Sequence, residues 1–342
     1  MKVILATPFF HQLRGNTITV RRIADGLIHA GVETEVISIT EQDDHHHSLK
    51  DADLIHGFNA YRFYQFIKSI SPPITNYTVT LTGTDLNHDL MNPTRKNDVI
   101  ACLTNALAVH VFDEKAKSIV LNILPKLENK LYVIAQGTST SRKRNVLEKT
   151  KPDTFHFLLP AGIRKVKNIP FAINSLLELR KTHSNINLTI VGPIIEPDEG
   201  EVVQQLVLEN SDWVTYKGVI PHKEMEALYS NADGVINTSH SEGQSSAILE
   251  AMSFGLPVLV SKNKGNMSLV SNEETGFVYD GINQFLTYAN RLIEKASLRE
   301  LLGENAATYV EEHHSATQEI SAMVNMYEKS LAELKKGGND DD

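Results

Sequence analysis

Short β-rich apolar runs alternate with stretches of helical periodicity along this chain, and the alternation occurs twice. In the first half the runs fall at 2–7, 33–39, 53–58, 77–82, 106–112 and 131–135. Between the first two, Val20, Ile23, Ala24, Leu27 and Ile28 recur at helical spacing, one face of an amphipathic helix closed by Gly31. That is a βαβ unit. The stretch STSRKRNVLEKTKPD, 139–153, is polar and lacks a core pattern, so it reads as a linker. Runs then resume at 155–160, 187–191, 214–218, 234–238, 257–261 and 276–279, with Met225, Leu228, Tyr229 and Ala232 marking one of the intervening helices. Parallel strands need crossover helices, and those helices cover both faces of the sheet. Two successive sets therefore predict two α/β domains, each a doubly covered parallel sheet. Ligands are expected beyond the C-terminal ends of the strands, facing a cleft. A length of 342 residues and a hydrophobic share of 41% suit two such cores.

Charge and cysteine usage remove several classes of function. The net charge is −9 and no Lys/Arg run exceeds a few residues, which excludes an extended nucleic-acid footprint. Cys102 is the single cysteine, so there is no disulfide framework and no Cys metal cluster; a reducing, cytoplasmic setting is expected. MKVILATPFF is too short for a signal segment and breaks at Pro8, and no run is long enough to cross a bilayer, which leaves peripheral membrane contact open. The consecutive His45, His46 and His47 diverge and read as a solvated loop. His56 reads as a hydrogen-bonded histidine at a strand end. Ile320, Met323, Val324, Tyr327 and Leu331 form a core-packing helical stripe, and the tail GGNDDD, 337–342, reads as disordered.

Three short segments carry chemistry. SEGQSSAILEAM, 241–252, places Glu242 in a loop and Glu250 inside the helix that follows Ser245 and Ser246 and that Gly255 and Pro257 terminate. The two carboxylates bracket a helix N-terminus, whose free N–H groups and dipole suit phosphate. A carboxylate also takes two O–H donors at once, which suits the vicinal diols of sugars. One diphosphate with a sugar at each end explains the spacing; on spacing alone, so does a pair of ordinary helix-flanking acids. AGIRKVKN, 161–168, puts Arg164, Lys165 and Lys167 directly after a strand, where fixed cations can neutralise a diphosphate. A solvated basic loop fits the same residues. FFHQLRGNTIT joins the first strand to the first helix, with Gly15 and Asn16 tolerant of unusual backbone angles. It is not a GxGxxG and gives no support to a dinucleotide site.

The segment 241–261 resembles the E-x7-E element of retaining family 4 glycosyltransferases of GT-B fold, and AGIRKVKN resembles the diphosphate-binding motif of that family. The resemblance extends from Met1 to about Lys335. GNTITVRR, TGTDLNHD, IRKVKN and NKGN together resemble a narrower branch that includes the bacterial selenosugar synthases and the vertebrate glycosyltransferase 1 domain-containing protein 1. The resemblance implies two Rossmann-like parallel-sheet domains facing an interdomain cleft: 1–148 on the acceptor side, 149–314 binding the nucleotide sugar, and a helix at 315–336 packing back on the first domain. It implies that Glu250 holds the ribose hydroxyls of a nucleoside diphosphate and that Glu242 contacts the donor sugar. Gly243, Gln244 and Ser245 would line sugar and diphosphate, with Gly162 also on the donor side. Arg164 and Lys167 would stabilise the departing diphosphate, with Gly15 and Asn16 approaching from the other domain, and the backbone near Val219 and Ile220 would meet the base.

One departure stands out. Many family members carry a histidine in an HG-x-D loop after strand four; here the loop is TGTD, with Thr82 in that place. Threonine donates a hydrogen bond but is no acid or base at neutral pH. Gly83 and Asp85 stay as candidates at the reaction centre, Asp85 as an acceptor contact or base. The expected activity is metal-independent, retaining transfer from a nucleotide sugar, UDP-linked by family weight, with no cofactor. The acceptor is a small metabolite, a lipid or another nucleophile. Two other readings are a GT-B scaffold with different sugar-nucleotide chemistry, such as an epimerase or a seleno- or thiosugar synthase, and a non-catalytic nucleotide-sugar binder.

Overall fold

The computed structural model describes residues 1–12, 15–41, 49–138 and 154–337. The polar stretch 139–153, the triple histidine and the tail 338–342 lie outside them. The chain divides into two units, one formed by Met1–Gly137 with His314–Asp342 and the other by Thr138–His313.

The first unit carries strands β1 (Lys2–Thr7), β2 (Glu33–Ser38), β3 (Leu54–Phe58), β4 (Tyr77–Thr80), β5 (Ala108–Val111) and β6 (Leu131–Val133). Its helices are α1 (Gly15–His29), α2 (Ala60–Lys68), α3 (Gly83–Asn87), α4 (Lys96–Asn105) and α5 (Glu114–Ile123). The second unit carries β7 (Phe155–Pro160), β8 (Ile186–Val191), β9 (Val214–Tyr216), β10 (Gly234–Asn237), β11 (Val258–Ser261) and β12 (Phe277–Tyr279). Helices α6 (Ile169–Arg180), α7 (Pro197–Glu209), α8 (His222–Asn231), α9 (Ser246–Ser253), α10 (Ile282–Glu294) and α11 (Ala296–His313) surround them. The chain then returns to the first unit as α12 (Ala316–Gly337).

Both sheets have six strands, in the orders β2-β1-β3-β4-β5-β6 and β12-β11-β10-β7-β8-β9, and every pair is parallel. The twelve predicted runs are the twelve strands, to within a few residues at their ends. Alternation along each strand splits the core in two. Val3 and Leu5 of β1 pack with α1 and α12, while Ile4 and Ala6 face the cluster under α2 and α4. In β7, Phe157 and Leu159 join one cluster and Leu158 the other.

Helix α1 buries Val20, Ile23, Ala24 and Leu27 as expected, but Ile28 is 54% exposed. It stands one residue from the end of α1, where the periodic face has swung off the sheet. Helix α12 buries Ile320, Met323 and Tyr327 against this cluster. It is held further by the buried Arg22–Glu319 ion pair with α1. No helix among the described residues is long and apolar enough to cross a membrane.

Candidate functional site

In a doubly wound sheet the strand order reverses at one point, and loops leaving the C-terminal ends of the two strands there diverge and open a crevice. In the second unit the reversal lies between β7 and β10. The loop after β7 is the one that holds Arg164 and Lys167; the loop after β10 holds Glu242. The two meet. Lys167 Nζ donates to Glu242 Oε1 at 2.5 Å, with 14% and 9% of the side chains exposed. Glu242 Oε1 also accepts from Asn237 Nδ2 at 3.0 Å and Ser239 Oγ at 2.6 Å. Burial drives this carboxyl pKa upward, but Lys167 and the two hydrogen bonds outweigh it and hold it below the usual range. Glu242 is a fixed anion.

Its setting is fixed from behind by an amide chain. Asn266, wholly buried, donates through Nδ2 to Asn237 Oδ1 at 3.1 Å and to the Ser261 carbonyl at 2.8 Å. The backbone N–H of Ser239 also donates to Asn237 Oδ1. The loop 263–266 runs so close beneath Glu242 that a Cβ at Gly265 would lie 1.7 Å from the Gly243 carbonyl oxygen and 2.5 Å from that of Glu242. These are backbone atoms and cannot swing aside. Gly265→Ala is therefore expected to displace the 242–243 backbone and lower the stability of this unit by about 1–3 kcal/mol, measurable by urea denaturation.

The basic loop is itself well tied. Lys165–Lys167 form a 3-10 turn, Asn168 takes a left-handed φ of 48° and α6 starts directly after it. Thr238 Oγ1 donates to the Lys167 carbonyl and the His240 N–H to that of Val166, stitching this loop to the one after β10. Arg164 Nε and Gln244 Oε1, on the two facing loops, are buried without a hydrogen-bond partner among the described residues, which buried polar groups rarely tolerate. A Cβ at Gly162 would lie 2.5 Å from Ile195 Cδ1, so that side chain would have to shift to admit one. Ser245 precedes α9 in an extended conformation, and its side chain makes no capping hydrogen bond to that helix end.

Glu250 sits just over one turn into α9 and is 8% exposed. It is not a surface acid. Both oxygens are held from α8: His222 Nε2 lies 3.1 Å from Oε1 and Tyr229 OH donates to Oε2 at 3.0 Å. The bond to Glu250 raises the His222 pKa above its ordinary value, outweighing partial burial. The segment leading into α8 turns at Gly218, φ 66°, and leaves Val219 exposed and Ile220 half-buried.

Among the expected residues of the first unit, Gly15 opens α1 and Asn16 follows it, exposed. Thr82 and Gly83 stand at the start of α3, after β4. Asp85, expected as an acceptor contact or base, stands in the first turn of α3. It is wholly buried and accepts at Oδ2 from the Thr82 N–H at 2.7 Å and from Thr82 Oγ1 at 2.9 Å, so it closes the TGTD turn. Burial raises its pKa to about 7 against the opposing pull of the Thr82 bonds.

His56 is interior to the sheet, with no solvent exposure. Its Nδ1 lies 2.6 Å from Tyr327 OH and its Nε2 2.6 Å from Thr80 Oγ1; Thr80 Oγ1 lies 2.8 Å from His110 Nδ1, and His110 Nε2 is 2.9 Å from the Ile134 carbonyl. A carbonyl only accepts, so His110 carries its proton on Nε2 and accepts from Thr80 on Nδ1; His56 then donates from Nε2 to Thr80 and accepts from Tyr327. Each donor has one acceptor, and both rings are neutral.

Asn237, Ser239, Asn266, His222 and Tyr229 were not singled out as functional residues from the sequence. One local signal existed: Asn237 is an amide ending an otherwise apolar, buried strand. Among the described residues no three His, Cys, Asp or Glu side chains converge on a point that would hold a metal ion.

Residues 140–309 match the family described as glycosyl transferases group 1. The chain carries a group 1 glycosyltransferase domain. The enzyme is a glycosyltransferase, and the domain contains Arg164, Lys167, Glu242 and Glu250 within its matched span. Over nearly its whole length the chain is similar to "Glycosyltransferase 1 domain-containing protein 1" of Xenopus tropicalis, 27% identical across 95% of this chain and 96% of that one. Its structure is similar to sucrose-phosphate synthase from Thermosynechococcus elongatus, TM-score 0.77 at 17% identity over 97% and 99% of the two chains. It is also similar to HepE of Anabaena in complex with UDP and glucose, TM-score 0.75 at 16% identity over 95% and 98%. With its two parallel six-stranded sheets and flanking helices, the fold is GT-B.

Proposed function

We propose that this glycosyltransferase moves a sugar from a nucleoside diphosphate donor, UDP-linked, to a nucleophilic acceptor with retention at the anomeric carbon and without a metal ion. The observation that carries the reading is the Lys167–Glu242 pair at the β7/β10 reversal, with Glu250 just over one turn into the helix that follows. Those three side chains supply a cation for a diphosphate and carboxylates for the hydroxyls at either side of it.

In the reaction the bond between the anomeric carbon and the diphosphate oxygen breaks, the acceptor's nucleophilic atom bonds to that carbon, and the acceptor's proton leaves with the departing diphosphate or to solvent. Negative charge grows on the diphosphate as the sugar takes on oxocarbenium character. A fixed cation aimed at that oxygen is worth more in the transition state than in the ground state. Lys167, whose ammonium has three donors and spends one on Glu242, keeps two for the leaving group. Arg164 Nε, buried and unpartnered, is a second donor from the same loop. Cations in this position favour the metal-independent form of the reaction. Glu242 stays ionised and accepts hydroxyls of the donor sugar; Glu250 accepts those of the ribose.

Retention and the UDP-linked donor rest on the resemblance to family 4 enzymes, and the similarity to a structure holding UDP and glucose supports the same donor class. Asp85 takes a positioning role, holding Thr82 and the turn after β4. The acceptor is a small metabolite, a lipid or another nucleophile, and the buried thiol of Cys102 suits a cytoplasmic setting.

Calorimetric titration of the full chain with UDP, GDP, ADP and their sugars tests the donor reading. One nucleotide should bind, and Glu250→Ala should weaken it roughly 10- to 100-fold, as expected for losing hydrogen bonds to a charged group. Absence of binding by every nucleotide at millimolar concentration would remove the reading.

A further inference from the structure

Helix α8 begins at His222 and, two turns on, presents Tyr229 on the same side. Both reach one carboxylate, and each takes a different oxygen: His222 Nε2 is 3.1 Å from Glu250 Oε1 and Tyr229 OH is 3.0 Å from Oε2. An ionised carboxylate only accepts, so the proton of each bond sits on α8. Tyr229 is buried and stacks on Phe254, ring centroids 5.2 Å apart, which fixes its hydroxyl. The His222 side chain is half exposed, and an ion pair at such a site contributes little stability, on the order of 1 kcal/mol or less. Orientation is what this pair of donors supplies. Each carboxylate oxygen has two acceptor directions; α8 occupies one on each and leaves one on each, fixed in a single plane.

We propose that His222 is a positioning residue for ribose recognition. Together with Tyr229 it sets the plane of the Glu250 carboxylate so that the two unoccupied acceptor directions meet the 2′- and 3′-hydroxyls of the donor nucleoside, and it thereby sets the preference of the site for ribonucleotides over 2′-deoxyribonucleotides. This rests on the donor reading above. The backbone near Val219 and Ile220 that is expected to meet the base runs directly into His222, so base contact and ribose clamp belong to one stretch of chain. A shift of that stretch moves both.

The test uses the full chain and calorimetric dissociation constants for UDP, GDP and ADP, for their 2′-deoxy counterparts, and for inorganic diphosphate. Wild type should prefer the tightest-binding ribonucleotide over its 2′-deoxy form by roughly tenfold or more. His222→Ala should lose most of that preference by weakening the ribonucleotide while leaving the 2′-deoxy form and inorganic diphosphate nearly unchanged. His222→Gln, which can donate from an amide, should recover part of it. Equal weakening of both nucleotides by His222→Ala would mean a general structural role and overturn the proposal. Loss of the preference in Glu250→Ala but not in His222→Ala would also overturn it, with the ribose reading of Glu250 intact. Retention of the full preference in Glu250→Ala, or no binding by any nucleoside diphosphate, would bring down the ribose reading and the proposal together.

Discussion

Replacing Lys167 by methionine is expected to lower the turnover number of sugar transfer by roughly 10²- to 10³-fold with a smaller change in donor KM. Methionine keeps the apolar stem and removes the charge. The loss is expected on kcat because, in the proposed reaction, Lys167 faces a diphosphate whose charge is larger in the transition state than in the bound donor. A second effect travels with it, since Glu242, 9% exposed, loses its ion pair with Lys167. Breaking a buried pair from one side costs about 3–5 kcal/mol. The two effects separate in the double variant Lys167→Met/Glu242→Gln, which also removes the buried carboxylate charge: it should regain most of the stability in urea denaturation and none of the turnover. Turnover restored in the double variant would show that Lys167 serves only to neutralise Glu242.

Acid should loosen the first unit through the buried His56–Thr80–His110 chain. Burial pushes the His110 pKa down from its ordinary value of 6.5 to about 4, against the pull of the Ile134 bond, and pushes that of His56 well down with help from His110. Both rings are neutral when folded and take protons when unfolded. Their contribution is therefore full above pH 6.5 and is lost as pH falls toward the folded values, by about 3 kcal/mol for His110 alone by pH 4. Asp85 works in the opposite direction. Its folded pKa near 7 means the folded state gains protons first, so its contribution grows as pH falls below 7. The total slope thus mixes two signs, and the informative quantity is a difference. His110→Gln, which has the same number of buried polar atoms but no titration, should show a stability that falls less than wild type between pH 7 and pH 5, by about 2 kcal/mol. An equal fall in both proteins would mean that His110 titrates in the folded state much as it does in the unfolded chain.

The strands were legible because parallel strands covered on both faces must be apolar throughout, and runs such as VILA and VLVS carry that requirement on their own residues. Glu242, Glu250, Arg164 and Lys167 were legible for a related reason: each stands next to a strand end or helix start that the sequence marks. The residues that hold them were not. Asn266 meets Asn237 across 29 positions and His222 meets Glu250 across 28, and no local period connects such pairs. Ile28 satisfied the helical period yet lies exposed, since periodicity does not say where a helix leaves its sheet. Asp85 shows the converse. A threonine followed three positions later by an acid is also the pattern of a capped helix start, and the fold uses it so.

Helix α12 completes the first unit with residues that follow the whole of the second. On the ribosome, β1 to β6 emerge first, yet the groove that receives Ile320, Met323 and Tyr327 stays uncovered, and His56 lacks its phenolic donor, until synthesis has passed residue 327. The second unit has no such debt to later sequence and can close while the first still waits. A chain halted between the two events would expose a wet histidine and a strip of apolar sheet, the kind of surface that molecular chaperones retain and that drives aggregation. The unit translated first is thus the one whose core can be completed last.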